Sequence, residues 1–340
     1  MISFMNDYSE GAHPHILELM LRSNLEQNNG YGNDRHSSHA KQYIMRELER
    51  DNVDIHFIPG GTQTNLLVIS AFLRPHQCVI AADTGHVNVH ETGAIEATGH
   101  KVVTVPHMEG KLTTDGILKV LEYHSGEHMV QPKMVYLSDT TELGTVYTKS
   151  ELMAIRELCN REGLLLFLDG ARLGSALTCK SNDLTLKDIA DFVDVFYIGG
   201  TKNGALMGEA LVICKEELKE DFRYLIKQRG AMMAKGFVIG MQFEALFENE
   251  LYYELGAHAN HMAEQLARAF ADKGYSFYAP HCSNQLFPIL PQEVIQSLEK
   301  EYGFLVQDKV DDKHSAIRLV TSWATSQNNI DQLIRSIGEM

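Results

Sequence analysis

The stretch "TKSELMAIRELCNREGLLLFLDGARLGSA", residues 148–176, decides how this chain folds. Thr148 and Glu151 have the T-x-x-E spacing of a capping box, in which each side chain bonds the other's backbone N–H. Leu152, Ile155 and Cys159 then fall on one helical face, and Gly163 stops the helix. "LLLFLD" (164–169) follows at once, a near-continuous apolar run of the kind a doubly covered strand shows. A helix feeding a buried strand is half of a βαβ unit.

The same alternation extends in both directions. "DIHFI" (54–58) ends at "PGG", and "TNLLVISAFL" (64–73) takes up helical spacing. "CVIAAD" (78–83), "KVVTV" (101–105), "KMVYLS" (133–138) and "VDVFYIG" (193–199) are further strands. Apolar strands separated by helices predict an α/β fold with a parallel sheet covered on both faces. After residue 236 the texture changes. A long helical segment (241–274) precedes "LFPIL" (286–290), a helical "QEVIQSLEKEYG", a strand in "AIRLVTSW" (316–323), and a last helix from about Ser326. The expected organisation is an N-terminal segment (1–20), a large domain (21–244) and a smaller C-terminal α+β domain (245–340).

The chain has 340 residues, enough for one large domain and a smaller one. Its 30 Lys and Arg against 45 Asp and Glu leave a formal charge of −15. Such a surface repels polyanions, which argues against nucleic acid and acidic membranes as partners, though not against a small anion in a local positive pocket. The five cysteines are scattered with no CxxC pair, the usage of reduced thiols. "MISFMNDYSEG" has neither the basic start nor the apolar core of a signal peptide, and no apolar run is long enough to span a bilayer. A cytoplasmic enzyme is expected.

In open α/β sheets, ligands bind at the carboxyl ends of strands, and three stretches stand there. "PGGTQTN" (59–65) is a glycine turn opening a helix, whose free N–H groups suit an anion; it also reads as a tight turn capped by Thr62. Asp169 ends an apolar strand, with Arg172 three residues on. Either the two pair, or Asp169 meets a cationic ligand. In "GGTKNGALMGEA" (199–210), Lys202 sits among small residues with no acidic neighbour before Glu209. It either snorkels from the strand end or offers an amine that attacks carbonyls.

Together these are the parts that pyridoxal 5′-phosphate needs: a phosphate turn, a partner for the ring nitrogen and a lysine for the aldehyde. A carboxylate about 4 Å from a protonated ring nitrogen is worth roughly 4 kcal/mol at an effective dielectric of about 20, enough to hold the ring as an electron sink. His86 and His90 have the i, i+4 spacing of a metal pair, but no third ligand accompanies them and HExxH is absent, so no metal is expected. His90 reads as a packed helix histidine. A nucleotide site at "PGGTQTN" is disfavoured by the lack of GxGxxG and of a P-loop lysine.

The ordered set "GGTQTN", "HVNVHETGA", "LDGARLGSA", "GGTKNGALMGEALV" and "IRLVTSW" resembles the threonine aldolase/β-eliminating lyase family of pyridoxal-phosphate enzymes, over nearly the whole chain. The resemblance implies fold type I (aspartate aminotransferase-like), with a mostly parallel seven-stranded sheet flanked by helices. It implies a lyase cleaving the Cα–Cβ bond of L-threonine or related β-hydroxy-α-amino acids to glycine and an aldehyde. Lys202 is then the lysine that bonds the cofactor aldehyde and Asp169 the partner of the ring nitrogen. Gly61, Thr62 and Thr201 hold the phosphate. His86 stacks on the ring and is the candidate base. Arg172 and Arg318 bind the substrate carboxylate, with Asn6 nearby. Tyr31 and Lys235 match positions that reach the site across a dimer interface, Lys235 toward the phosphate, in an expected homotetramer. One departure stands out. Relatives carry an "ENTHN"-like segment whose histidine reaches the substrate's β-hydroxyl, whereas here the segment is "LSDTTELGTVY" (137–147), with Thr141 near that place. β-Elimination, transamination or non-catalytic binding of the same cofactor are the alternatives this departure raises.

Overall fold

The computed structural model describes residues 1–339, and its strands sort into three sheets. A short β1 (Ile2–Ser3) comes first. The main sheet is built from β2 (Asp54–Ile58), β3 (Gln77–Ala82), β4 (Lys101–Val105), β5 (Gln131–Ser138), β6 (Leu165–Asp169), β7 (Val195–Gly199) and β8 (Glu209–Ile213). Their order is β2-β8-β7-β6-β5-β3-β4. Only β8 opposes the rest, pairing antiparallel with both β2 and β7. The expected seven-stranded, mostly parallel sheet is therefore present. β8 itself is the strand the sequence reading did not separate, because it lies within the small-residue stretch after Lys202 and returns beside β7 as a hairpin.

The strand-defining stretch behaves as its chemistry dictates. Thr148 caps the helix Lys149–Glu162 in a reciprocal box: the Glu151 amide donates to Thr148 Oγ1 at 3.3 Å and the Thr148 amide to Glu151 Oε2 at 2.8 Å. Gly163 takes the left-handed conformation (φ 64°) that ends it. Every residue of β3, β6, β7 and β8 is buried. Their alternation divides the core in two. Leu166, Leu168, Phe196 and Ile198 face the helix residues Leu152, Ile155 and Leu158, while Phe167, Val195 and Tyr197 join Leu67, Val68 and Ile69 on the opposite face.

A third core gathers the C-terminal layer. The helices Leu251–Asp272 and Gln327–Gly338 cover strands β9 (Gln285–Leu286), β10 (Ile289–Pro291), β12 (Leu305–Lys309) and β13 (His314–Val320), while β11 (Tyr302–Gly303) pairs with β1. Phe4 packs there with Leu266, Phe270, Leu286, Ile317 and Leu333. The first residues of the chain thus pack in the C-terminal layer, and Asp7 crosses to Arg172 after β6. No helix among the described residues is long and apolar enough to cross a membrane.

Candidate active site at the strand ends

Asp169 closes β6 and is 4% exposed. Four donors converge on it: the Tyr136 and Tyr197 hydroxyls, Asn65 Nδ2 at 3.1 Å and the Ala171 amide at 3.0 Å. Burial pushes its pKa up, but the His86 charge and these hydrogen bonds outweigh burial and hold the carboxyl below its ordinary value. Asp169 is therefore an anion fixed in place at the floor of the site. Tyr136 and Tyr197 reach it because β5 and β7 flank β6 and both tyrosines share the face of Phe167.

His86 opens the short helix after β3. Its Nδ1 lies 2.8 Å from Glu91 Oε1, and Asn65 Nδ2 donates to the same oxygen at 2.7 Å. Asn65 thus ties Glu91 to Asp169. His90, expected to be a packed helix histidine, is exposed instead, its ring centroid 5.5 Å from that of His86.

Lys202 lies in the turn between β7 and β8, half-buried, and its amine forms no ion pair or hydrogen bond among the described residues. Burial first, and then the Arg172 charge, lower its pKa, against the opposing pull of Asp7, Asp169 and Glu209. Arg172 does not pair with Asp169. Its guanidinium makes a two-pronged contact with Asp7, Nε to Oδ2 at 2.7 Å and Nη2 to Oδ1 at 3.0 Å, and Asn284 donates to Asp7 at 3.0 Å. Arg318, on β13, has no carboxylate partner among the described residues, and its Nε is buried without an acceptor. Burial and then Arg172 lower its pKa. Asp7 is the one carboxylate among the described residues that pairs directly with any of these three cations, and the unsatisfied Nε of Arg318 is left to receive a carboxylate.

The helix Gly61–Phe72 begins at Gly60 with no side-chain cap. No acceptor among the described residues takes the Gly61, Thr62 or Gln63 amides, so its first turn presents free N–H groups. A Cβ on Gly61 would stand 3.2 Å from the Tyr197 hydroxyl, crowding the group that holds Asp169. Thr201, expected to donate to the same anion, gives its one proton to Glu209 Oε1 at 2.9 Å and accepts from the Gly208 amide. Glu209 also accepts from the Gly200 amide, and burial pushes its pKa up to about 7.

Several expected residues stand elsewhere. Thr141 does not face the site. It is 1% exposed, its hydroxyl is 2.7 Å from that of Thr145, and it packs under Gly110. The inward-facing residue is its neighbour Glu142, whose Oε1 accepts from the His86 amide and the Ser138 hydroxyl, both at 2.8 Å. Asn6 Oδ1 accepts from the Tyr8 amide and the Ser9 hydroxyl, closing its own turn, and Asp7 is the residue that enters. Tyr31 and Lys235 are both exposed and lie on adjoining segments, the Tyr31 amide donating to Ala234 O at 3.1 Å. No hydrogen bond or ion pair joins them to Lys202, Asp169 or Arg172 among the described residues.

Asp7, Asn65, Tyr136, Glu91, Glu142, Tyr197, Glu209 and Asn284 escaped the sequence reading. Four had a local signal. Asn65 ends "PGGTQTN", Glu91 lies within the "HVNVHETGA" block, Glu142 lies in "LSDTTELGTVY", and Glu209 is the one acid in the lysine stretch. Asp7, Tyr136, Tyr197 and Asn284 are placed by strand pairing and chain crossing.

The model of the β-eliminating lyase family matches residues 6–290. The low specificity L-threonine aldolase of Pseudomonas aeruginosa is 31% identical over 344 residues, covering 98% of this chain and 96% of its own length. A solved threonine aldolase from Leishmania major superposes with a TM-score of 0.98 at 50% identity, covering 100% of this chain and 99% of that one. An aspartate aminotransferase mutant from Thermus thermophilus shares the fold, with a TM-score of 0.74 at 15% identity over 100% of this chain and 91% of its own. The residues the family model spans include the turn at Gly61, Asp169, Arg172 and Lys202, and the chain belongs to the β-eliminating lyase family, as a homologue of threonine aldolases.

Proposed function

We propose that this enzyme cleaves the Cα–Cβ bond of L-threonine or a related β-hydroxy-α-amino acid, giving glycine and an aldehyde, with pyridoxal 5′-phosphate as its cofactor. The carrying observation is the amine of Lys202, without a partner among the described residues and sensing both Arg172 and the fixed Asp169 anion. The residues fit that cofactor. The uncapped first turn at Gly61 and Thr62 suits a phosphate, Asp169 suits a protonated ring nitrogen, Lys202 suits the aldehyde, and the His86 ring offers a flat face. When bound, the cofactor supplies a ring that accepts the electron pair left on Cα.

The chain's own groups do the rest. Arg318 and the face of Arg172 not held by Asp7 receive the substrate carboxylate. Asp169 stays charged because four donors hold it, and Glu91 fixes the orientation of His86. Half-burial of Lys202 keeps a fraction of its amine neutral, ready as a nucleophile and afterwards as a proton carrier. Tyr31 and Lys235, exposed side by side, support a homo-oligomer in which they serve a neighbouring copy's site. Leu21 and Leu25 on the same side of the sequence are 79% and 91% exposed, apolar area that an oligomer interface would bury.

The test is purification with the cofactor, followed by product analysis on L-threonine, L-allo-threonine, L-serine and phenylserine. Glycine plus aldehyde is expected, together with loss of the bound chromophore's borohydride trapping in Lys202→Ala. A 2-oxo acid with the substrate's own carbon skeleton plus ammonia, such as pyruvate from L-serine or 2-oxobutyrate from L-threonine, would mean elimination instead, the second reading, which the displacement of Thr141 from the site favours. A coloured protein that turns over none of these substrates would mean the cofactor is held without catalysis.

A further inference from the structure

We infer that Glu142 is the group that takes the β-hydroxyl proton of the substrate as the Cα–Cβ bond breaks, an inference that rests on the aldol-cleavage reading above. The turn after β5 chooses between two neighbouring side chains. Thr141 is drawn away by its hydroxyl contact with Thr145 and by close packing under Gly110, where an added Cβ would stand 2.6 Å from Thr141 Oγ1. The next side chain in the turn, Glu142, enters the site. One carboxyl oxygen is anchored by the His86 amide and Ser138, and the other has no hydrogen-bond partner among the described residues.

Its two anchors place this carboxyl at the strand ends. Ser138 ends β5 in register with Asp169 on β6, and the His86 amide stands at the end of β3, so the carboxyl they hold lies beside Asp169, close enough that Asp169 and Arg172 both sense its charge. Burial first, then Asp169, raise its pKa, while Ser138 and the Glu142 and His86 amides oppose the rise. That moves a carboxylate toward the proton affinity a base needs near neutral pH. His86 is the less suited group. Its Nδ1 is committed to Glu91, and a ring laid face-on against a flat cofactor presents its nitrogens sideways.

The step balances. A Glu142 carboxylate oxygen takes the proton from the hydroxyl on Cβ. The O–H pair becomes the second bond of the aldehyde carbonyl, the Cα–Cβ pair stays on Cα, and the aldehyde leaves. A proton delivered to Cα gives glycine, and Glu142 releases its own to solvent, so the net reaction consumes neither proton nor electron.

Glu142→Gln keeps an oxygen for the His86 and Ser138 donors while removing the base. In the holoenzyme, kcat for threonine is expected to fall by about 10²–10⁴, and the acid limb of its pH profile to disappear. Two readouts should stay within about threefold of wild type: exchange of the glycine α-proton in D2O, and the Kd for L-2-aminobutyrate by absorbance titration, since neither involves a β-hydroxyl. Glu142→Asp, a shortened base, should recover part of the cleavage rate. Threonine cleavage within about tenfold of wild type in Glu142→Gln would overturn the assignment. So would parallel loss of cleavage, glycine exchange and aminobutyrate binding, which marks a structural role. A wild-type enzyme that exchanges glycine but releases no aldehyde from any β-hydroxy amino acid overturns the aldol reading itself, a result distinct from both.

Discussion

Glu91, with its side chain fully buried, holds His86 by a 2.8 Å contact from Oε1 to Nδ1. The carboxylate decides which ring nitrogen carries the inner proton and which way the ring faces. Its other oxygen has no donor among the described residues, so the histidine and Asn65 are what compensate its burial. Glu91→Gln loosens the ring without removing it. Affinity for pyridoxal phosphate is expected to fall about tenfold, or about 1.4 kcal/mol. Fluorescence titration of the apoenzyme measures this, and an unchanged Kd would show that His86 orients itself without Glu91.

Asp7 and Arg172 predict an acid-side effect. Burial would raise the Asp7 pKa, but Arg172 and Lys202, with hydrogen bonds from Arg172 and Asn284, bring it below its ordinary 3.8. A carboxylate with a lowered folded-state pKa contributes stability that is present above pH ~4 and fades as pH falls through the folded value. Asp7→Asn leaves the buried guanidinium without its counter-charge and should cost about 3–5 kcal/mol near neutral pH. It should also flatten the loss of stability below pH ~4. Urea unfolding at several pH values tests both.

Asp139 predicts the opposite slope. It is 1% exposed, neither carboxyl oxygen has a hydrogen-bond partner among the described residues, and burial pushes its pKa up from 3.8 to about 8. The folded protein keeps a proton that the unfolded chain releases. Stability is therefore complete below about pH 4 and lost progressively as pH rises to about 8, by an amount of up to about 5 kcal/mol. Asp139→Asn removes the titration. Thermal unfolding should become less sensitive to pH between 5 and 8.5, with the variant more stable than wild type at the upper end.

Glu209 makes anion binding depend on pH. Its carboxyl is tied to Thr201 and the Gly200 amide, and a Cβ on Gly61 would stand 3.9 Å from its Oε1. With a pKa of about 7, it is protonated below neutrality and adds a negative charge beside the uncapped helix start above it. Affinity for pyridoxal phosphate should fall as pH rises through 7, while that for pyridoxal, which lacks the phosphate, should change little. Glu209→Gln should abolish the difference. Equal slopes for the two ligands in wild type would place the effect elsewhere.

What could be read in advance was local or periodic. The Thr148–Glu151 box, the Gly163 stop and the apolar strands depend on neighbours a few residues away, and Asp169 and Lys202 are conspicuous because their surroundings are apolar or small. What could not be read depends on geometry that sequence spacing does not carry. A single step along the turn after β5 exchanges Thr141 for Glu142. A single step near the N-terminus exchanges Asn6, closing its own turn, for Asp7, which crosses to Arg172. Tyr136 and Tyr197 converge on Asp169 only because three strands lie side by side.

The order in which the chain emerges during synthesis gives the β1 pairing a last consequence. Ile2 and Ser3 dock on Tyr302 and Gly303, and the Val320 amide donates to Phe4 O at 2.8 Å. The leading residues must wait for roughly 300 others, about 15–60 s of translation at ordinary rates, before their partners exist. Until then Asp7 cannot be drawn to Arg172 and Asn284 together. The Ile2–Phe4 segment works as a latch, fastened after the rest has been made, and a change there reaches Arg172 through Asp7.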